Sequence, residues 1–311
     1  MVKRLKFYNK FNVSEIHKRS ILLIGNFDGF HLGHKKLFRL ANKYKKKLKL
    51  KIGVIIFEPM PKMYFNKSLK NFRISNLNQK IKILRKFRVD FVVIKKFDKK
   101  FSKIKSHNFI KDILYKKLKA KYIFVSNNFR FGNKREGNVK QLIKNQKTFK
   151  FRIIKPKPLI LRNKVISSTL IRKLLSDGKL EYANKLLTRK WSIDSRVQKG
   201  RKMGKRIGFP TCNMDIKDYV IAKPGVYAVR IKRKSKSGIL KGIANLGYRP
   251  TFKQKKILLE VYIFNFSGNL YNKELTIEFI NFIRKEKKFK NISQLKKQIS
   301  LDLILVKKKL N

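Results

Sequence analysis

Cysteine, acidic residues and long apolar runs are scarce in this chain of 311 residues. Its one cysteine, Cys212, excludes an intramolecular disulfide framework and fits a reducing compartment such as the cytoplasm. Lysines interrupt every apolar stretch before it reaches the length of a bilayer span, so we expect no membrane partner. Residues 1–11 carry charge without the apolar stretch of a signal peptide, which also favours a cytoplasmic location.

Basic residues outnumber acidic ones by 82 to 17, which gives a formal net charge of +65. Taken alone, this charge predicts an RNA-binding or other nucleic-acid-binding protein, and that hypothesis stays open as an alternative. The lysines are spread along the chain instead of forming one tail or one stripe. We therefore expect salt-sensitive attraction to polyanions in general and no specific nucleic-acid partner.

The first part of the chain alternates short apolar runs with helix-like stretches. The runs cover residues 21–24, 52–57, 91–94 and 122–125. Runs of this length and composition are typical of buried parallel strands, and helical patterns such as 34–48 lie between them. This order predicts an α/β domain over 1–188, a doubly wound, Rossmann-like parallel sheet with a ligand site at the carboxyl ends of its strands.

The pattern changes near residue 190. Alternating segments rich in β-branched and aromatic residues follow at 191–198, 225–232, 239–245, 258–264 and 275–282. They predict a small antiparallel β-barrel over 189–311. An amphipathic helix is expected from Ser293 onwards.

Residues 25–34, Gly-Asn-Phe-Asp-Gly-Phe-His-Leu-Gly-His, follow the first apolar strand. A glycine turn at a helix start presents unpaired N–H groups and the positive end of the helix dipole, which together bind anions. His31 and His34 can both face such an anion, so the block predicts a site for ATP phosphates. The alternative is a plain strand-to-helix turn with two solvated histidines. The predicted phosphate-site residues beside the histidines are Gly25, Phe27, Asp28, Gly29 and Gly33.

Two further blocks of the first part favour ligand binding. Asn128, Phe129 and Arg130 follow another strand and combine an amide, an aromatic ring and a guanidinium group, which suits recognition of a base or ribose. Ser168 and Thr169 begin a helix that carries Arg172, and hydroxyl groups with a guanidinium one turn on can bind phosphate. An ordinary serine cap with a solvated arginine is the alternative at this second block.

The strongest block of the second part covers residues 200–213. Gly200, Gly204 and Gly208 are expected to leave backbone N–H groups open to phosphates, although a basic, glycine-rich hairpin is the alternative. Thr211 and Asn213 offer oxygen ligands for a hard cation such as Mg²⁺.

The second part of the chain also contains a predicted turn and a candidate catalytic acidic residue. Residues 244–251 predict a tight polar turn. Glu260 is an acid within an apolar strand, and it is a candidate general base. Alternation along that strand leaves open whether Glu260 simply points to solvent.

Together these blocks resemble the prokaryotic bifunctional riboflavin kinase/FAD synthetase family, from about residue 15 to the C-terminus. The resemblance implies an FMN adenylyltransferase domain at 1–188 and a riboflavin kinase domain at 189–311. One ATP would phosphorylate riboflavin to FMN, and a second ATP would adenylylate FMN to FAD. Riboflavin, FMN and ATP would be the partners, Mg²⁺ the cofactor, and the protein a monomer or weak oligomer.

The resemblance also implies roles for single residues. His31 and His34 would stabilise the transferring phosphates of ATP, and Glu260 would accept the proton of the terminal ribityl hydroxyl. Thr211 and Asn213 would hold Mg²⁺ and ATP. The flavin or nucleotide contacts would be Asn128, Phe129, Arg130, Asn245 and Arg249.

Met60 departs from the family pattern, which usually has a histidine between the two prolines at 59 and 61. A thioether neither donates a hydrogen bond nor carries charge. A riboflavin kinase with a decayed adenylyltransferase module is therefore the second hypothesis within enzymes.

Overall fold

The computed structural model describes residues 5–200, 203–234, 238–250 and 255–311, with only the backbone described at 203, 249–250 and 255–256. The chain forms two compact units. The first contains Met1–Lys70 and Leu77–Ser167, and the second contains Asn71–Asn76 and Ser168–Asn311. The division therefore falls after residue 167, earlier than the functional boundary expected between 188 and 189, which stays a prediction.

The first unit is built on a six-stranded parallel sheet. The strands are β1 (Lys6–Tyr8), β2 (Ile21–Ile24), β3 (Ile52–Glu58), β4 (Phe91–Lys96), β5 (Tyr122–Phe124) and β8 (Arg152–Ile154), in the order β1-β4-β3-β2-β5-β8. Short antiparallel pairs are formed by β6 (Arg130–Phe131) with β7 (Gly137–Asn138) and by β9 (Ile160–Leu161) with β10 (Lys164–Val165). The predicted doubly wound parallel sheet is confirmed.

Helices cover both faces of this sheet because successive strand residues face opposite sides. In β2, Leu22 and Ile24 pack into one buried cluster, whereas Ile21 and Leu23 pack into the other. The helices of this unit are α1 (Leu32–Leu48), α2 (Pro61–Phe65), α3 (Leu77–Lys86), α4 (Lys99–Ser102), α5 (Ser106–Asn108) with a π-helical continuation Phe109–Lys117, and α6 (Val139–Lys144).

The strand order places a topological switch point between β2 and β5. From β2 the chain adds β3 and β4 on one side, and then returns to add β5 and β8 on the other side. Ligands of open α/β sheets bind in the crevice at the carboxyl ends of the strands at such a point. The turn after β2 and the loop after β5 follow the two strands at this switch point, where the fold predicts a ligand site.

The second unit is a closed antiparallel barrel. Its strands are β11 (Trp191–Gln198), β12 (Thr211–Asp215), β13 (Gly225–Arg233), β14 (Ile239–Pro250), β15 (Lys255–Ile263) and β16 (Glu274–Arg284), in the order β11-β12-β15-β14-β13-β16. Its helices are α7 (Ser168–Ser176), α8 (Leu180–Leu187), α9 (Met203–Arg206) and α10 (Ile292–Leu310). The predicted barrel and C-terminal helix are confirmed.

Two details of the barrel differ from the sequence predictions. Strand β12 was not predicted, and the turn predicted at 244–251 is wrong over 244–250, because β14 continues to Pro250; residue 251 lies outside the described residues. Ala244 and Leu246 are buried on alternate positions and pair with β15, so the period-2 pattern of a strand persists through the glycine at 247. The glycine and asparagine that signalled a turn lie inside a strand.

Residues 71–76 belong to the second unit although they lie between two helices of the first. The Arg73 side chain pairs with the Asp218 carboxylate at 3.3 Å, and the Trp191 indole N–H donates to the Ile74 carbonyl at 3.1 Å. These contacts tie a segment from the first part of the sequence to the barrel. In the part of the chain that the structure describes, no helix is long and apolar enough to cross a bilayer.

A buried ion pair holds α10 on the barrel. Arg284, at the end of β16, donates through Nε and Nη2 to both carboxylate oxygens of Asp302 at 2.7–3.0 Å, and the Asp302 side chain is 2% exposed. The Gln298 amide also donates to Asp302. Val306 and Leu310 complete the buried face of the helix.

We expect Arg284→Ala to lower the free energy of unfolding of the second unit by about 3–5 kcal/mol, because it leaves the Asp302 carboxylate buried without its partner. Urea denaturation followed by the fluorescence of Trp191, the one tryptophan of the chain, measures this change. Lys234→Ala is the control, since Lys234 forms an exposed pair with Glu274 and should contribute little. Equal midpoints for the two variants would contradict the role of the buried pair.

Candidate active sites

The turn between β2 and α1 has an unusual backbone. Phe27, Gly29 and Phe30 all have positive φ angles, of 46°, 77° and 45°. A left-handed conformation is unfavourable for a large side chain and is retained only where the surroundings impose it. Here the surroundings are the core, since Phe27 is 5% exposed and Phe30 is fully buried. The turn is therefore held by packing.

This turn brings the two histidines together at the start of α1. His31 is the N-cap residue and makes no capping hydrogen bond through its side chain, so that side chain does not occupy the first N–H groups of the helix. The rings of His31 and His34 stack with their centroids 3.8 Å apart. Gly33 permits this, because a Cβ there would lie 3.2 Å from the His31 ring and 3.3 Å from the Ile166 carbonyl oxygen.

The environment of His34 keeps its imidazole neutral. Burial lowers the pKa of His34 well below its usual value, and the neighbouring His31 and Lys80 lower this pKa further. The Phe27 ring meets His34 edge-on with centroids 5.3 Å apart, and the buried Nδ1 atom of His34 has no hydrogen-bond partner among the described residues. At neutral pH, His34 can therefore exchange hydrogen bonds with a ligand but adds no charge.

The loop after β5 lines an aromatic pocket in the first unit. Phe129 and Phe131 stack with centroids 5.6 Å apart, and the pocket beside them has an empty volume of about 600 Å³ that opens to solvent. Phenylalanine rings from the ends of β3 and β4 and from α4 complete the wall, and cationic residues stand at its edge. The lining includes Phe57, Phe97, Phe101, Phe109, Arg130 and Arg135.

Contacts with α5 fix the position of this loop. The Glu136 carboxylate accepts a hydrogen bond from the Ser106 backbone N–H at 2.5 Å, and the Asn133 N–H donates to the Ile104 carbonyl at 2.7 Å. Asn128, by contrast, is exposed, and its side-chain oxygen accepts from the Ser126 hydroxyl at 2.9 Å. The loop thus has an anchored half and an exposed half.

Register aligns three polar residues across the barrel wall of the second unit. Glu260 of β15 lies directly opposite Asn213 of β12 and opposite Asn245 of β14. Directly paired residues point to the same face of a sheet, so the carboxylate lies between two amides. Glu260 is half-buried, on the face opposite to the buried residues Leu259 and Val261. The side chain of Arg249 lies outside the described residues.

Gly200 and Gly204 lie close to the side chains of strand β12. A Cβ at Gly200 would overlap the Asn213 side-chain amide and displace it, and a Cβ at Gly204 would lie 3.2 Å from the Thr211 hydroxyl. The Asn213 Oδ1 atom is buried and has no hydrogen-bond partner within the described ranges. The expectation of an open N–H at Gly208 is wrong, because this group donates to the Lys205 carbonyl at 3.2 Å in the turn after α9.

Three residues predicted to bind phosphate for the adenylyl step lie in the second unit. Ser168 and Thr169 form the start of α7. The Arg172 guanidinium is neither free nor simply solvated: its Nε donates to the Phe72 carbonyl at 2.8 Å, and it stacks on the Phe72 ring at 3.7 Å from the centroid. Their roles as phosphate ligands stay predictions.

Sequence reasoning identified Phe129 and considered the loop that begins at Phe57 as a possible ligand-facing loop, but it missed Phe97, Phe101, Phe109 and Glu136. Phe97 lies just after β4, and its position at a strand end was the available signal. Glu136 gave no local signal, because its partner Ser106 is thirty residues away. Met60 is buried at 2% exposure as the N-cap residue of α2, so it packs as an apolar residue.

Two family models match this chain. One is described as FAD synthetase and covers residues 13–170, and the other is described as riboflavin kinase and covers residues 187–310. The first therefore includes the His31–His34 turn and the aromatic pocket, and the second includes the row around Glu260.

Three curated relatives, each named bifunctional riboflavin kinase/FMN adenylyltransferase, match along nearly the whole chain. The relative from Buchnera aphidicola subsp. Schizaphis graminum is 40% identical, over 96% of this chain and 97% of its own length. The relatives from Haemophilus influenzae and Escherichia coli K12 are 38% and 35% identical, over 94% and 91% of this chain and 94% and 90% of their own lengths. A solved structure from Streptococcus pneumoniae, titled a macrolide-efflux protein, has a TM-score of 0.83 and 26% identity, over 97% of this chain and 98% of that chain.

The environment of Cys212, between Thr211 and Asn213, predicts low thiol reactivity. Burial raises the pKa of the Cys212 thiol to about 11, and the thiolate is the reactive form. At pH 8 we expect iodoacetamide to alkylate the folded protein about two orders of magnitude more slowly than the guanidinium-unfolded chain, whose cysteine has a pKa of about 8.5. Mass spectrometry over time measures both rates, and similar rates in the two states would contradict the burial of this thiol.

Proposed function

This chain belongs to the bifunctional riboflavin kinase/FMN adenylyltransferase family, and we propose how its two units divide the two reactions. ATP phosphorylates riboflavin to FMN, and a second ATP adenylylates FMN to FAD. Both family models match, and the relatives that share both activities align over at least nine-tenths of the chain. A riboflavin kinase with a decayed adenylyltransferase module and a basic RNA-binding protein are therefore the less favoured hypotheses.

The stacked His31–His34 pair at the start of α1 is the observation that carries the adenylyl assignment. In this step an oxygen of the FMN phosphate bonds to the α-phosphorus of ATP, the bond from that phosphorus to the bridging oxygen breaks, and pyrophosphate leaves. The helix N-terminus binds the triphosphate through its N–H groups, whereas the Gly25 and Phe30 N–H groups of the turn already donate to the Ile55 and Phe27 carbonyls. The two imidazoles donate hydrogen bonds to its oxygens as negative charge shifts to the leaving group.

The aromatic pocket of the first unit is the proposed site of the flavin ring. Its walls are stacked phenylalanine rings, which suit a planar heterocycle. Arg130, Lys134 and Arg135 line its edge. Their charge favours FMN, which carries a phosphate, over riboflavin, which does not.

The second unit carries the kinase step, with Glu260 as general base. The terminal ribityl oxygen of riboflavin bonds to the γ-phosphorus of ATP, the bond from that phosphorus to the bridging oxygen breaks, and ADP leaves. The proton of the ribityl hydroxyl passes to the Glu260 carboxylate. Asn213 and Asn245, paired on either side of Glu260, orient the hydroxyl and the nucleotide.

The residues beside Glu260 also fit Mg²⁺. The Asn213 Oδ1 atom is a buried oxygen with no hydrogen-bond partner in the described part of the chain, and the Thr211 hydroxyl lies two residues away on the same strand. Mg²⁺ prefers oxygen ligands and takes few of them from the protein when phosphates are present. When bound, the ion neutralises phosphate charge; Thr211 and Asn213 would hold it and thereby position the γ-phosphate for the ribityl oxygen.

The proposed function also includes a domain boundary near residue 188, a cellular location and an oligomeric state. The functional boundary near residue 188 agrees with the start of the riboflavin kinase match at residue 187. We place the reactions in the cytoplasm, because ATP is the co-substrate of both and the single cysteine fits a reducing compartment. A monomer or weak oligomer remains our expectation for the assembly.

We expect His34→Ala to abolish FAD formation from FMN while FMN formation from riboflavin continues, because only the first unit loses its phosphate contact. Incubation with ATP and Mg²⁺, with FMN and FAD separated by chromatography, measures both rates. His107→Ala is the matched control, since His107 is an exposed histidine of the same unit. Unchanged adenylylation in the His34 variant would contradict the assignment.

We expect Glu260→Gln to lower FMN formation by about 10²–10⁴-fold, because glutamine keeps the shape of the side chain but does not accept the proton. Conversion of supplied FMN to FAD should continue in this variant. Glu278→Gln serves as the control, because Glu278 is a strand carboxylate of the same barrel that pairs with Lys232 at 2.6 Å. A Glu260 variant with near-normal kinase turnover, or a folded one that lost both activities, would refute this role.

A further inference from the structure

Lys80 is unusual in this very basic chain because its side chain is buried. It is 2% exposed, and among the described residues it is the one lysine in the buried set. Lysine is almost never buried to this degree without a compensating interaction, because removing an ammonium group from water costs several kcal/mol. An excess of lysine in the composition accounts for exposed lysines and does not account for this one.

The packing of α3 against α1 explains where Lys80 lies. Asn42 of α1 donates to the Phe87 carbonyl just after α3 at 3.0 Å, and the Lys45 ammonium donates to the Arg88 carbonyl at 2.8 Å. The rings of Phe38 and Phe87 meet with centroids 5.6 Å apart. The later turns of the two helices are therefore side by side.

The same register places Lys80 beside His34. Both helices follow strands of one parallel sheet and pack in the same buried cluster, so they run in the same direction. Seven residues back from Phe87 is Lys80, and eight residues back from Asn42 is His34, which is roughly 10–12 Å along each helix axis. The Phe30 ring spans the two helices, 6.1 Å from the ring of His34 and 5.0 Å from that of Phe87.

The phosphate site lacks a cation of its own within the glycine turn. The residues from Gly25 to Gly33 include no lysine or arginine, and Asp28 adds a buried carboxyl group. The low pKa of His34, to which the charge of Lys80 contributes, leaves that imidazole neutral. A triphosphate bound at this turn therefore meets hydrogen-bond donors but no basic side chain of the turn itself; Lys35 and Lys36 follow on α1, and neither is buried as Lys80 is.

We propose that Lys80 is the cation of the adenylyl-transfer site, placed by α3 to stabilise the pyrophosphate that leaves from ATP. This inference rests on the adenylyl transfer proposed for the first unit. When the FMN phosphate oxygen bonds to the α-phosphorus, the electron pair of the broken bond stays on the bridging oxygen of pyrophosphate. A buried ammonium group near that position stabilises the added charge more strongly than an exposed lysine does, because water does not screen it.

Substitutions at Lys80 test the charge separately from the fold. Lys80→Met keeps the length and apolar stem, a change that is often neutral or stabilising for a buried ion. We expect it to lower kcat/KM for ATP in FAD formation by about 100-fold or more, while FMN formation from riboflavin in the same preparation is unchanged. Lys80→Arg should retain more activity than Lys80→Met or Lys80→Gln. Lys82→Met is the matched control, because Lys82 is exposed on the same helix.

Inhibition by the product pyrophosphate distinguishes a charge role of Lys80 from a structural role, because a structural role would not change pyrophosphate binding selectively. We expect the inhibition constant of inorganic pyrophosphate to rise in Lys80→Met while that of adenosine stays at the wild-type value. A folded Lys80→Met variant within threefold of the wild-type adenylylation rate would overturn the proposal. If Lys80→Met does not fold, equal activity of the Arg and Gln variants would overturn it instead. Absence of FAD formation by the wild type would refute the adenylyl transfer itself, which keeps the two failures distinct.

Discussion

Burial of Phe27 and Phe30 is the constraint on which the first active site depends. Both residues hold a left-handed backbone that a large side chain rarely adopts, and their rings in the core compensate for that conformation. With the turn held in this way, α1 begins at Leu32, and His31 and His34 stack at its N-terminus. The core thus positions the groups that we propose to bind phosphate.

In the second unit, strand register positions the proposed site residues, whereas a strained turn does so in the first unit. Hydrogen bonding between β12, β15 and β14 aligns Asn213, Glu260 and Asn245 in one row, and a slip of β15 by one residue would move Glu260 to the other face of the wall. Gly200 lies against the Asn213 side chain of that row. One chain therefore performs two phosphate chemistries with two different positioning devices. The high net charge is largely separate from both, since most of the 82 basic residues are assigned no role in either site.

Local pattern accounts for much of the fold. The apolar runs predicted four of the six strands of the parallel sheet, and alternation predicted five of the six barrel strands. Strand β12 was missed because its sequence, Thr-Cys-Asn-Met-Asp, is short and polar, and its pairing partner β15 lies more than forty residues away. Residues 244–251 were misread as a turn because asparagine and glycine favour turns locally, whereas pairing with β15 outweighs that preference.

The sequence by itself determined the order of the elements, the glycine–histidine turn and the acid within an apolar strand, because periodicity and spacing are local properties. Tertiary structure alone decided which groups share an environment. Lys80 is one of 82 basic residues, and only the packing of α3 on α1 makes it a buried neighbour of His34. In the same way, Arg172 read as a phosphate ligand or a solvated side chain, and the fold pairs it with Phe72. Burial and long-range contacts arise when distant segments pack together, and no window of the sequence contains both partners.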